Sequence, residues 1–312
     1  MGKNQKNLLA APLQALHPAV FPALQESLES CMCLPLPELW DNSAQQAGFW
    51  ERLRQSCSWL LLLDYDGTLA PFHQDRMQAV PYAGVIEQIE ALRDLPGGRI
   101  VLVSGRQIAE LCQLFPLDPG LEMWGSHGRE HLLPDGCYRL LDLNDTERRV
   151  VDGLVQAMQA HGWEHQLELK PTAVAVHWRG LPDPQQRAIR ETAERYFAEA
   201  QEHHQAAALD SLEMMPFESG LELRSRSRTK GQVVAELVAE EAQKHAGTLS
   251  VTAFLGDDWT DEDGFAALPS EGLGVLVRGE PRPSRASVYL RPPEDLLAFL
   301  KAWEKNSSGR TI

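Results

Sequence analysis

The sequence predicts an α/β fold: a doubly wound parallel sheet with a smaller α+β module inserted into it. Three observations carry this expectation. Runs dominated by apolar residues at 59–63, 100–103 and 250–255 each end in polar residues and glycine, as buried strands do, and 121–124 reads as a further strand ending the same way. Helical spacing separates them, with Val85, Ile86, Ile89 and Leu92 in one segment and Val233, Val234, Leu237 and Val238 in another. Between them, residues 143–222 change to long charged helical stretches and short alternating strands, which reads as an insertion.

The chain has 312 residues, enough for two domains with their own cores. Its net charge of -15 argues against broad nucleic-acid binding, which needs a basic face. A phosphate substrate would then need local help from a metal ion or from clustered Lys and Arg. No apolar run reaches the ~20 residues of a membrane span, and no secretory signal is legible. Five cysteines form no disulfide framework, and Cys31-x-Cys33 has no partner pair for a metal site. The expected setting is cytoplasmic.

Taken in order, residues 1–45 read as an N-terminal extension interrupted at Pro12, Pro18 and Pro22, without chemistry. Residues 49–56 read as a helix leading to the first strand. That strand runs through four leucines into Asp64-Tyr65-Asp66-Gly67-Thr68. Ligand chemistry in open α/β sheets sits at the carboxyl ends of strands. Asp64 and Asp66 are two apart and point to the same side of an extended backbone. One carboxylate can attack phosphorus and the other can move a proton to or from the leaving oxygen. Gly67 permits a sharp turn, and the Thr68 hydroxyl joins the same pocket.

A loop over 71–81 and a helix over 83–94 follow, ended by Pro96-Gly97-Gly98. The second strand ends in Ser104-Gly105-Arg106, where Ser104 and the next helix N-terminus can donate to a phosphate oxygen. The third ends in Gly125-Ser126-His127-Gly128-Arg129-Glu130, a loop able to aim polar groups at sugar hydroxyls. Pro134-Asp135-Gly136 reads as a hairpin turn. The insertion reads as helix, strand, helix, strand, strand: 145–161, 172–178, 183–204, 212–215 and 220–224. Lys230 lies just ahead of a helix N-terminus, where it can offset repulsion between an aspartate nucleophile and a phosphoryl group. The last buried strand opens into Gly256-Asp257-Asp258-Trp259-Thr260-Asp261-Glu262-Asp263, an anionic cup whose hard oxygens favour Mg²⁺. Asp257 is the first choice of ligand, with Asp258 or Asp261 as a further candidate. Residues 274–277 read as an edge strand, 292–303 as a closing helix and 306–312 as a frayed tail.

Asp64-Tyr65-Asp66-Gly67-Thr68, Ser104, Lys230 and Gly256-Asp257-Asp258 occur in the order of the four motifs of the haloacid dehalogenase-like phosphatases, and the chain resembles that superfamily from 59 to about 300. The resemblance implies a Rossmann-like core, 46–142 with 223–305, and an inserted specificity cap, 143–222. It makes Asp64 the nucleophile and Asp66 the general acid/base, with Ser104 and Lys230 on the phosphoryl group. Mg²⁺ would sit on Asp64, the backbone oxygen of Asp66, and Asp257. Finer features resemble the trehalose-6-phosphate phosphatases: Ser104-Gly105-Arg106, Gly125-Ser126-His127-Gly128, Glu168-x-Lys170, His177-Trp178-Arg179 and Glu222-x-Arg224. They imply sugar-binding roles for Lys170, His177, Arg179, Glu218 and Glu222 in the cap and Glu130 in the core; Thr68, Arg106 and His127 complete the substrate-binding candidates. That family usually has proline after the arginine of Glu-x-Arg, and Ser225 stands here. Arg224, Arg226 and Arg228 then alternate with serines, which reads as a solvated basic strand edge.

The expected function is Mg²⁺-dependent hydrolysis of trehalose 6-phosphate through an aspartyl phosphate. A phosphatase for another glucoside phosphate, such as glucosylglycerol phosphate, or a non-catalytic sugar-phosphate sensor are the alternatives. A phosphotransferase would share the core motifs, and a signalling receiver would be smaller and lack the insertion. The expected partner is a small sugar phosphate, with no nucleic acid or membrane, and the protein is expected to be a monomer or small homo-oligomer.

Overall fold

Helix α1 (Ser43–Gln55) leads into β1 (Ser58–Leu63), a strand with no exposed residue. The structure is a computed structural model describing residues 36–38, 43–73, 75–117, 120–203, 211–217 and 219–308. The N-terminal extension therefore lies largely outside the described residues. Leu61 and Leu63 of β1 enter one apolar layer, and Leu60 and Leu62 enter the other. A strand covered on both faces needs an apolar residue at every position, which accounts for the unbroken leucines.

The chain continues through α2 (Val85–Arg93), β2 (Gly98–Val103), α3 (Ile108–Leu114), β3 (Glu122–Gly125), β4 (Glu130–Leu132) and β5 (Tyr138–Leu140). A second compact unit, Leu143–Ser227, follows. It contains α4 (Asp145–Ala160), β6 (Leu167–Lys170), β7 (Ala173–His177), α5 (Asp183–His203), β8 (Leu212–Phe217) and β9 (Gly220–Ser225). The first unit resumes with α6 (Lys230–Lys244), β10 (Ser250–Gly256), α7 (Glu262–Ala267), β11 (Leu273–Val277), β12 (Val288–Leu290) and α8 (Glu294–Ser307).

The strand order in the first unit is β12-β11-β10-β1-β2-β3-β4-β5. Pairings from β12 to β3 are parallel, while β3–β4 and β4–β5 are antiparallel. Side chains from α1, α2, α3 and α8 cover one face, and those from α6 and α7 cover the other. This is the doubly wound arrangement, and its strand order reverses at β1, between β10 and β2.

The sheet of the second unit is antiparallel, in order β6-β7-β9-β8. Val174, Val176, Leu221 and Leu223 bury one face against Val150, Leu154 and Met158 of α4 and Ile189 and Ala193 of α5. Directly paired residues share a face. The register therefore collects Glu168, Lys170, His177, Glu222, Arg224, Glu213, Met215 and Phe217 on the other face.

Four expectations need correction. β11 is not an edge, because β12 pairs outside it, and Glu38 bridges to Tyr289 beyond that. Three residues behind a Pro-rich loop are too short for a period-two signal. The insertion has a further strand, β6, half-buried and with acidic Glu168 inside it. Of the three arginines expected on a solvated edge, Arg226 is exposed, but Arg224, within β9, pairs with Glu213 on the polar face, and Arg228 pairs with Glu236 and stacks on Trp124. β9 itself continues to Ser225, one residue past the expected 224.

Candidate active site

Asp64 follows β1 directly, and its N–H donates to the Leu255 carbonyl of β10 at 2.9 Å. It thus sits where the strand order reverses, at the carboxyl edge of the sheet. Lys230 is the first residue of α6, whose start is set by Thr229 and Gln232 in a reciprocal capping box. Its Nζ donates to Asp64 Oδ1 and to Asp261 Oδ1, both at 2.7 Å. Asp261 is fully buried, and its Oδ2 accepts the backbone N–H groups of Asp257 and Asp258 at 3.0 Å each. One carboxylate therefore shapes the turn after β10 and holds the lysine. Thr68 Oγ1 donates to Asp64 Oδ2 at 3.3 Å. Gly67 has φ +76°, and a Cβ there would lie 2.3 Å from Asp257 Oδ2, so only glycine lets the two strand-end turns approach this closely.

Asp64, Asp257 and Asp261 are all buried and present oxygens within 4.8 Å of one another. Burial drives the Asp64 carboxyl up to about 7; Lys230 opposes this and the Asp261 charge reinforces it. Burial and then the neighbouring Asp64 push Asp257 up to about 9. Burial works against the Lys230 ammonium, but Asp261 and Asp64 overcome it and hold its pKa above the ordinary lysine value. One lysine thus leaves negative charge in excess, and a hard, all-oxygen donor set of this kind fits a small divalent cation. Asp261 already accepts three hydrogen bonds, whereas Arg278 Nη1 stays 4.0 Å from Asp257 Oδ2 and donates to the Asp257 carbonyl instead. The freer donors for a cation are Asp64 and Asp257. Asp258 is exposed.

Asp66 is held by Arg106, whose Nε and Nη2 donate to its two carboxylate oxygens at 2.7 and 2.6 Å. The buried guanidinium lies over the Tyr65 ring, 5.4 Å from its centroid, and its Nη1 has no acceptor. Arg106 was expected on substrate; in this structure its fork is taken by Asp66. Ser104 follows β2 directly, is buried, and accepts the Arg106 N–H on its Oγ at 3.1 Å. His127 has φ 56° and lies against Gly105, where a Cβ would come within 2.7 Å of its Cε1. Glu130 accepts from Ser126 Oγ at 2.5 Å and from the Tyr138 hydroxyl at 3.0 Å. Burial, followed by Glu130, pushes the Tyr138 phenol up to about 12.

In the second unit, Lys170 Nζ donates to Glu222 Oε1 at 2.6 Å and approaches Glu168 Oε1 at 4.0 Å. His177 Nε2 lies 2.9 Å from Glu168 Oε2. These groups share the polar sheet face. Arg179 is exposed in the turn after β7, and Glu218 lies outside the described residues. The sequence suggests Asp261 only as a further metal-ligand candidate beside Asp258, not as the partner of Lys230, and gives Glu168 no role of its own. The signal for Asp261 was its four-residue offset from Asp257, which lets its carboxylate fold back onto the turn's N–H groups. Ser225 is buried on the helix-packed face, and its Oγ donates to Glu147 Oε1 at 2.7 Å.

The trehalose-phosphatase family matches residues 62–293. A trehalose-phosphate phosphatase of Mycobacterium marinum is 29% identical over 233 residues, covering 74% of this chain and 56% of the relative. The chain thus spans little more than half the length of that relative. The trehalose-6-phosphate phosphatase of Escherichia coli is 27% identical over 275 residues, covering 86% of this chain and 91% of the relative. A solved structure of Aspergillus fumigatus trehalose-6-phosphate phosphatase superposes with a TM-score of 0.63 at 26% identity, covering 87% of this chain and all of that one.

Proposed function

This chain belongs to the trehalose-phosphatase family, and from that premise we propose that it hydrolyses trehalose 6-phosphate to trehalose and phosphate. The observation that carries the reading is the buried Asp64, held by Lys230 at the reversal point of the sheet with Asp66 two residues on.

In the proposed reaction an Asp64 oxygen attacks phosphorus, and the bond to the sugar oxygen breaks. Asp66, in its protonated form, delivers the proton that the departing sugar alkoxide needs. Asp66 as carboxylate then takes a proton from water, which cleaves the aspartyl phosphate and returns Asp64. Arg106 holds both oxygens of Asp66 between turnovers and sets its direction. Lys230 offsets the repulsion between Asp64 and the incoming phosphate. The Ser104 and Thr68 hydroxyls are assigned to the phosphoryl oxygens, with His127 and Glu130 on the sugar side of the core. Asp64 and Asp257, with the backbone oxygen of Asp66, would hold Mg²⁺. Bound there, the cation would neutralise phosphoryl charge. Lys170, His177 and Glu222, with Glu168, are assigned to sugar hydroxyls. The three described cysteines, Cys57, Cys112 and Cys137, are free and exposed, and no described helix is long and apolar enough to cross a membrane; both suit the cytoplasmic setting we assign.

The test is phosphate release with Mg²⁺ from trehalose 6-phosphate, glucosylglycerol phosphate, sucrose 6-phosphate and glucose 6-phosphate, with Asp64→Asn as control. Preference for trehalose 6-phosphate, lost in Asp64→Asn, is expected. Wild-type turnover by Asp64→Asn would sink the assignment of the nucleophile. Binding without release would favour a sensor. Ser225, the departure that motivated a different glucoside phosphate, points away from the polar face into the Glu147 contact. A different preferred substrate would therefore have to be explained by the polar face, starting with the Arg224–Glu213 pair.

A further inference from the structure

One large aromatic of the second unit belongs to none of the apolar clusters among the described residues. Phe217, at the end of β8, is 36% exposed. It shares the polar sheet face with Glu168, Lys170, His177 and Glu222. Two contacts hold its ring there. Gly220 is its direct partner on β9, and a Cβ at Gly220 would lie 2.0 Å from Phe217 Cζ and 2.2 Å from Cε2, so the ring lies across bare glycine backbone. The His177 ring meets it edge-on, with centroids 5.1 Å apart and planes at 62°. His177 is fixed in turn by Glu168. The result is an exposed aromatic surface, positioned by a glycine and a histidine, beside two carboxylates and an ammonium group.

That combination suits a pyranose ring. Sugar hydroxyls donate hydrogen bonds to carboxylates and accept them from an ammonium group, and the C–H groups on a ring face suit the electron-rich face of an aromatic. We infer that Phe217 is a sugar-ring platform that sets specificity for a glycosyl phosphate over a simple phosphate ester. This rests on the proposed sugar-phosphate substrate and adds to it a residue that contacts the sugar through its carbon face.

The test compares wild type, Phe217→Ala, Gly220→Ala and Phe217→Tyr on trehalose 6-phosphate and on glycerol 3-phosphate, an ester without a sugar ring. Phe217→Ala is expected to lower the ratio of kcat/KM for the sugar ester to that for glycerol 3-phosphate by about 3- to 10-fold, the scale of one aromatic contact, mainly through KM. Gly220→Ala leaves Phe217 in place but pushes its ring aside, and should show the same change of ratio. Phe217→Tyr keeps the ring and should restore the wild-type ratio. An unchanged ratio in Phe217→Ala, or equal losses on both esters, overturns the platform and leaves the sugar-phosphatase reading standing. If wild type prefers another glycosyl phosphate, the ratio is measured with that ester. A wild type that releases phosphate from no sugar ester overturns both.

Discussion

Lys230→Met keeps the aliphatic stem and removes the charge that links Asp64 to Asp261. Two charge-assisted hydrogen bonds of 2.7 Å are lost in a site where all three side chains are nearly inaccessible to water. Breaking a buried ion pair from one side costs about 3–5 kcal/mol, because the partner charge stays buried. Here the residue left behind is a triad of carboxylates within 4.8 Å of one another. At roughly 2–4 °C per kcal/mol for a unit of this size, the melting temperature in EDTA at pH 8.5 should fall by about 6–20 °C. The deficit should shrink on acidification. Asp64 and Asp257 have folded pKa values raised from 3.8 to about 7 and about 9. A carboxyl raised on folding stabilises the protein below its unfolded pKa, and that contribution is lost as pH rises through the folded value. Protons on both carboxyls therefore substitute for the missing ammonium at pH 5.5, and they do so less at pH 8.5, which lies above the Asp64 value. Scanning calorimetry of both proteins in EDTA at the two pH values gives the answer. A variant as stable as wild type at pH 8.5, or one whose deficit grows at pH 5.5, would refute the reasoning.

In wild type, the same signs make metal-free stability decline between about pH 4 and pH 9 as Asp64 and Asp257 ionise against each other. Mg²⁺ at about 100 times its Kd should add about 2.7 kcal/mol, with a larger rise in melting temperature at pH 8.5 than at pH 5.5; equal rises at both would exclude these carboxylates as the ligands. Arg106→Ala removes the fork that holds Asp66 and should lower kcat by about 10²-fold, the scale of general acid–base catalysis. KM should stay near wild type; a rise in KM alone would instead make Arg106 a substrate contact.

The catalytic end of this protein was readable because its chemistry is local to strand ends. A buried parallel strand announces itself as an apolar run, and the polar residues ending it face the sheet edge whatever surrounds them. Asp64, Asp66, Ser104 and Asp257 each occupy such a position. The sensing of charge between them was not local. Nothing near Asp66 in the chain announces that Arg106, 40 residues on, takes both of its oxygens. Asp261 reads in sequence only as a further metal-ligand candidate, and its lock on Lys230 spans 31 residues. β12 went unread because three residues carry too little periodicity to separate from a loop.

The sequence by itself determined the order of the strands' polar ends and the residue types that meet there, since burial on both faces leaves few places for a carboxylate in a parallel sheet. Tertiary structure decided the pairings. The register of β6, β7, β9 and β8 places Glu168, Lys170, His177, Glu222 and Phe217 on one face although they come from four strands. It turns Ser225 to the opposite face, where its hydroxyl meets Glu147. A one-residue slip in any of those strands would exchange the two faces, and that register is set by how Val174, Val176, Leu221 and Leu223 bury against the helices, a contact between segments distant in the chain.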